Sequence, residues 1–72
     1  METKYGTIEV IKKNKGYGFI KPDDAQSRED NIFFHANDVL SSSYAELKNG
    51  ERVEYLEKET IKGKAAYDVA VM

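Results

Sequence analysis

The sequence predicts an all-β fold in which five short strands close into a small barrel. Three observations carry this expectation. Runs rich in β-branched and aromatic residues recur along the chain, each bounded by glycine, proline, asparagine or lysine-rich turns. The one segment whose apolar residues approach helical spacing is interrupted by three consecutive serines. Finally, 72 residues without a cysteine must stabilise themselves with a single small core. A domain this short buries only ~60% of the surface its unfolded chain exposes, and closing a sheet on itself removes exposed strand edges.

The elements follow in order. Thr7-Ile8-Glu9-Val10-Ile11 is a β-branched run between Gly6 and the polar turn Lys12-Lys13-Asn14-Lys15. Gly16 to Lys21 reads as the second strand, stopped by Pro22, whose nitrogen has no proton for a ladder. Asp23 to Asp30 is a charged loop with no apolar period. Asn31 to His35 is a short third strand. Val39, Leu40, Tyr44 and Leu47 lie near helical spacing, but Ser41-Ser42-Ser43 limits them to a helical turn followed by a loop. Arg52 to Lys58 is the fourth strand, entered through Asn49-Gly50, and Ala65 to Val71 is the fifth, entered through Lys62-Gly63-Lys64. The chain reads as one domain over residues 1–72, whole or as the amino-terminal module of a longer protein.

Composition narrows the function classes. With one histidine and no cysteine, the chain holds neither a disulfide, nor a thiolate zinc site, nor a histidine-based metal centre, and no cofactor is expected. Met1-Glu2-Thr3-Lys4 lacks the apolar run of a secretory signal, and no stretch approaches the ~18 apolar residues of a membrane span. The expected setting is cytoplasmic, away from membranes, and the expected state monomeric. Asp23, Asp24, Glu29 and Asp30 crowd one loop, but such a run reads as solvated surface. The three serines have no histidine partner or flanking motif to activate a nucleophile, so the chain is not read as an enzyme. The net charge of −2 is unevenly spread: +3 over residues 1–21, −6 over 22–59 and +1 over 60–72. A fold that brings the two ends together would carry a weakly positive face on a negative molecule.

Alternation of side chains supplies the functional signal. In the second strand Tyr17 and Phe19 share one face, and Gly18 and Ile20 the other. In the third, Phe33 and His35 share a face, and Ile32 and Phe34 the other. A small barrel has one interior, and Ile20, Ile32 and Phe34 suit it. The reverse arrangement would bury the Tyr17 hydroxyl and His35, which need partners. Tyr17, Phe19, Phe33 and His35 are therefore expected to face outward, flanked by Lys12, Lys13, Lys15 and Lys21. Exposed rings of this kind are stacking surfaces for the bases of single strands, worth ~1–3 kcal/mol per base, and lysines meet phosphates.

Lys15-Gly16-Tyr17-Gly18-Phe19-Ile20 and Asn31-Ile32-Phe33-Phe34-His35 resemble two ribonucleoprotein-type motifs. Their order, the chain length and the five strands resemble the bacterial cold-shock domain, from about Tyr5 to Val71. That resemblance implies a five-stranded antiparallel OB-fold barrel that binds single-stranded RNA or DNA without catalysis, with pyrimidine-rich strands favoured. By position it assigns stacking to Tyr17, Phe19, Phe33 and His35. It adds Tyr44 as a further aromatic, Lys15 as a basic contact, Asn31 as a polar base contact and Lys62 as a basic position in the last loop. It also implies a role as an RNA chaperone or as a regulator of transcription or translation.

The chain departs from that family at three positions. Val10 stands where a tryptophan is common, Glu9 where a lysine is common, and Ala36 where phenylalanine commonly follows the histidine. The loop before Asn31 is also longer than in compact members. Two missing stacking partners weaken binding by ~2–6 kcal/mol, which implies micromolar affinity or a shorter footprint. The acidic surface and these departures define the alternative reading, a protein-interaction barrel with weakened or lost nucleic-acid binding.

Overall fold

The computed structural model describes residues 2–72. Five strands, β1 (Lys4–Lys12), β2 (Tyr17–Pro22), β3 (Ile32–His35), β4 (Arg52–Thr60) and β5 (Gly63–Val71), form a closed barrel in the order β1-β2-β3-β5-β4. A short helix, α1 (Ser41–Tyr44), and two 3₁₀ turns, Arg28–Asp30 and Ala36–Asp38, complete it. The all-β barrel and its five strands are as the sequence predicts. Four ladders are antiparallel, and the seam between β3 and β5 is parallel, through Phe33 opposite Ala65. A parallel seam needs a long connection, and the chain from Ala36 to Lys62, carrying α1 and β4, supplies it.

Several strand limits differ from the sequence reading for identifiable reasons: β4 runs on to Thr60 and β5 starts at Gly63 because those two residues pair across a tighter hairpin than the turn signal Lys62-Gly63-Lys64 suggests. β1 begins at Lys4, because its first half pairs with β4, Lys4 opposite Tyr55 and Thr7 opposite Arg52. Pro22 does not stop β2 from outside. It is the buried last residue of the strand, opposite Gly6. At a strand end the missing N–H breaks no interior ladder. Gly6 admits this approach, since a Cβ there would lie 2.6 Å from the Lys21 carbonyl oxygen.

The register of β1 against β2 slips between Ile8 and Val10, leaving Glu9 as the extra residue of a bulge. Ile8 therefore meets Ile20 inside, while Val10 rather than Glu9 sits opposite Phe19 outside. A second slip, between Glu54 and Leu56 on β4, coincides with Asp68 on β5, the one non-glycine residue with positive φ among the described residues (51°). Aspartate tolerates that conformation better than branched residues.

The core gathers Ile8, Ile20, Ile32, Phe34, Val53, Tyr55 and Val69, with Val39 and Leu47 added from the crossover. Ser43 ties α1 to β5 by accepting the Val71 N–H at 3.0 Å. Arg52 clamps the start of the acidic loop, donating both terminal nitrogens to the Asp23 carboxylate and one to the Thr7 hydroxyl. That hydrogen bond holds the Asp23 carboxyl below its usual range.

Tyr55 is 1% exposed, and its hydroxyl has no hydrogen-bond partner among the described residues. Burial pushes the phenol up to about 12, helped by the carboxylates of Glu57, Asp24 and Asp23. The folded chain thus favours the neutral phenol. This contribution is intact below the unfolded value of ~10 and is lost as pH rises towards 12. Replacing the orphan hydroxyl, Tyr55→Phe, should leave stability equal or raise it by about 1 kcal/mol at pH 7 and flatten the decline between pH 10 and 12. Urea melts across that range check both. Neighbouring phenylalanines should differ just as clearly. Phe34→Ala empties the core at a cost of about 3–5 kcal/mol, whereas Phe33→Ala should shift the urea midpoint little.

Candidate nucleic-acid interface

The β2–β3 register places Tyr17 opposite His35 and Phe19 opposite Phe33, with Gly18 opposite Phe34 and Ile20 opposite Ile32 between and beyond them. Gly18, Ile20, Ile32 and Phe34 are buried, Phe33 is 39% exposed, and Tyr17 and Phe19 are half-buried. The predicted division of faces holds at every one of these positions. The face depends on Gly18, where a Cβ would lie 2.8 Å from the Phe34 ring and 2.7 Å from the Val10 carbonyl oxygen. Without a side chain at this position, Phe34 fills the space directly beneath the outer rings.

Outside, three rings form one cluster. Tyr17 and Phe33 stack at 5.8 Å between centroids with planes 30° apart. Phe19 meets Phe33 edge-on at 5.8 Å and Tyr17 at 6.1 Å. These separations lie in the range of favourable aromatic contacts. His35 extends it as an exposed side chain. Its Nδ1 accepts the Asn37 backbone N–H at 3.0 Å, and the His35 backbone N–H donates to the Asp38 carboxylate at 3.1 Å. The ring is thereby fixed with Nε2 unpartnered among the described residues. Across the sheet, Val10, Phe19, Phe33 and Ala65 make one row, and Lys12, Tyr17 and His35 another.

The remaining predicted residues sit around this cluster. Lys15 is exposed in the β1–β2 turn, which closes through its N–H to the Lys12 carbonyl at 2.9 Å and uses positive φ at Gly16 (78°). Lys62 is exposed in the β4–β5 turn and borders grooves on both sides of Phe33. Asn31 is half-buried at the entry to β3, and its Oδ1 is buried without a partner among the described residues. Tyr44 stands apart. It is half-buried against the core, makes no ring contact with the three among the described residues, and has the Lys13 ammonium 5.4 Å from its centroid. Val10 is half-buried in the row, and Ala36 begins the turn after His35.

Sequence reasoning did not single out Ile61, Lys64 or Ala65. Ile61 is fully exposed at the hairpin tip, and with Ala65 and Phe33 it lines a groove of about 860 Å³. These residues reach Phe33 only through the parallel seam, which no local pattern announces. Lys64 and Lys4 both approach Glu57 at 3.9 Å, which leaves less positive charge beside Phe33 than the lysine count suggests. Among the described residues no cluster of three or more His, Cys, Asp or Glu is placed to hold a metal ion, and no helix is long and apolar enough to cross a membrane.

Comparison with known proteins agrees with this geometry. Residues 4–72 match the model of the 'Cold-shock' DNA-binding domain. A cold shock-like protein of Aquifex aeolicus is 34% identical over 67 residues, covering 93% of this chain and 91% of its own. A probable cold shock protein of Sinorhizobium fredii is 36% identical over 64 residues, 88% of each chain. Among solved structures, drosophila Unr CSD456 superposes with a TM-score of 0.78 at 25% identity, covering 99% of this chain and 27% of that longer one. A closed five-stranded barrel with outward rings on β2 and β3, matched over nearly its whole length by these relatives, places the chain in the cold-shock DNA-binding domain family, a family of nucleic-acid-binding barrels.

Proposed function

We propose that this domain binds single-stranded RNA or DNA by stacking unpaired bases on Tyr17, Phe19, Phe33 and His35, with Lys12, Lys15 and Lys62 on the phosphates. The observation that carries the reading is the ring cluster itself, three aromatic side chains within 6.1 Å of one another on one outward face. Each base has a flat face, so such a platform tolerates many sequences, whereas paired bases in a duplex keep their faces covered. Captured single strands draw hairpins towards the melted state by mass action, which is the work of an RNA chaperone and needs no covalent step. Val10 supplies an aliphatic rather than an aromatic end to the Phe19 row, which limits the footprint and keeps affinity modest. The proposed setting is a cytoplasmic monomer.

Fluorescence anisotropy with a labelled heptanucleotide tests this. Phe19→Ala and Phe33→Ala should each weaken binding by about 1–3 kcal/mol, with circular dichroism unchanged. Val10→Trp should strengthen binding by a similar amount. The salt dependence should be shallow, at about 0.7 per phosphate contacted. Equal affinity for duplex and single strand, or no loss in the double alanine variant, would reject the proposal in favour of a protein-binding barrel.

A further inference from the structure

The loop before β3 has two sides. Asp24, Glu29 and Asp30 line a groove of about 710 Å³ beside Phe19 and Phe33, together with Lys4, Lys62 and Lys64. Ser27 and Arg28 instead line a separate cleft of about 290 Å³, facing Lys21 and Glu9. That cleft lies on the outer face of the barrel. Lys21 follows Phe19 by two residues and is exposed, whereas Ile20 and Pro22 on either side of it are buried. Asn31 precedes Phe33 by two residues, has extended backbone (φ −61°, ψ 145°) and also lines the cleft. The cleft is therefore one step along the strands beyond the Phe19–Phe33 row. Glu9, the extra residue of the β1 bulge, closes its far edge.

The charge of this cleft is unbalanced. Its lining holds two cations, Lys21 and Arg28, against the single carboxylate of Glu9. None of the three makes an ion pair among the described residues, whereas the chain's other arginine, Arg52, is spent on Asp23 and Thr7. The backbone that carries Arg28 is held from several points. Arg52 clamps Asp23 at the root of the loop, the Gln26 N–H donates to the Asp30 carboxylate at 2.9 Å, and the Asn31 N–H closes the 3₁₀ turn onto the Arg28 carbonyl at 3.1 Å. A neutral base edge would leave both cations unanswered. A phosphate diester suits them: the guanidinium fork matches two of its oxygens, and the Lys21 ammonium and Ser27 hydroxyl add donors.

Building on the stacking platform proposed above, we infer that Arg28 and Lys21 form a phosphate site for the single strand where it leaves Phe19 past the Glu9 edge of the platform. The long loop and Glu9 are both departures visible in the sequence, and the fold sets them side by side. The loop thus returns positive charge to an edge where Glu9 alone would repel the strand's backbone.

The test titrates labelled oligothymidine pentamers by fluorescence anisotropy, either bare or extended by a pair of abasic nucleotides at the 5′ or the 3′ end. Abasic nucleotides add phosphates without adding bases to stack. On the native domain one of the extensions should tighten binding about threefold, the size of an exposed ion pair, and steepen the salt dependence by about 0.7. Arg28→Ala should abolish both gains and leave the bare pentamer unchanged, while Arg28→Lys should keep the added salt slope. Glu9→Gln/Arg28→Ala separates contact from charge masking, since the gain stays lost there if Arg28 itself holds the phosphate. No gain from either extension, a gain that survives Arg28→Ala, or one that returns in Glu9→Gln/Arg28→Ala would overturn the inference. If the bare pentamer binds and Phe33→Ala weakens it, yet neither extension helps, the platform stands and only the phosphate site falls. If no strand binds, both fall together.

Discussion

The contact on which the site depends is the Phe34 ring packed beneath Gly18. Phe34 is wholly buried, and the space it occupies exists because the opposing residue of β2 has no side chain. Close-packed interiors do not yield to an added methyl group without strain. Once Phe34 is inside, the two-residue period of a strand leaves its neighbours Phe33 and His35 no choice but to face out. The antiparallel partners Tyr17 and Phe19 follow. The apolar interior and the aromatic exterior are thus two results of one packing decision.

What was legible in the sequence was whatever follows from alternation and from local turn chemistry. Ile20, Ile32 and Phe34 against Tyr17, Phe19, Phe33 and His35 could be sorted without coordinates, because a single small interior accepts one face of each strand. Features that need a distant partner were not legible. Lys4 joins β1 because Tyr55, on β4, lies beside it. Pro22 ends β2 inside the barrel because Gly6 receives it. The parallel seam that brings Ala65 to Phe33 depends on a crossover whose end points carry no local mark. Tyr44 is an aromatic in the loop where matching by position expects one, and the fold sets it half-buried against the core with Lys13 over its ring.

The charge pattern gains meaning only in three dimensions. The lysines of the β1–β2 turn lie at one end of the aromatic face, while the acidic loop runs beside Phe19 and Phe33 with Lys4 and Lys21 among its neighbours. A net charge of −2 therefore describes the aromatic face poorly. Glu57 draws Lys4 and Lys64 to itself, and the exposed Arg52 spends its guanidinium on Asp23 and Thr7.

The bulge in β1 has a consequence for how such a domain can diversify. Because the extra residue falls at Glu9, Ile8 and Ile11 keep their inward contacts, while Glu9 and Val10 contribute no side chain to the buried cluster. Those two positions are released from the demands of folding. The chain can exchange ring for aliphatic, or base for acid, at that end of the aromatic face and remain the same barrel.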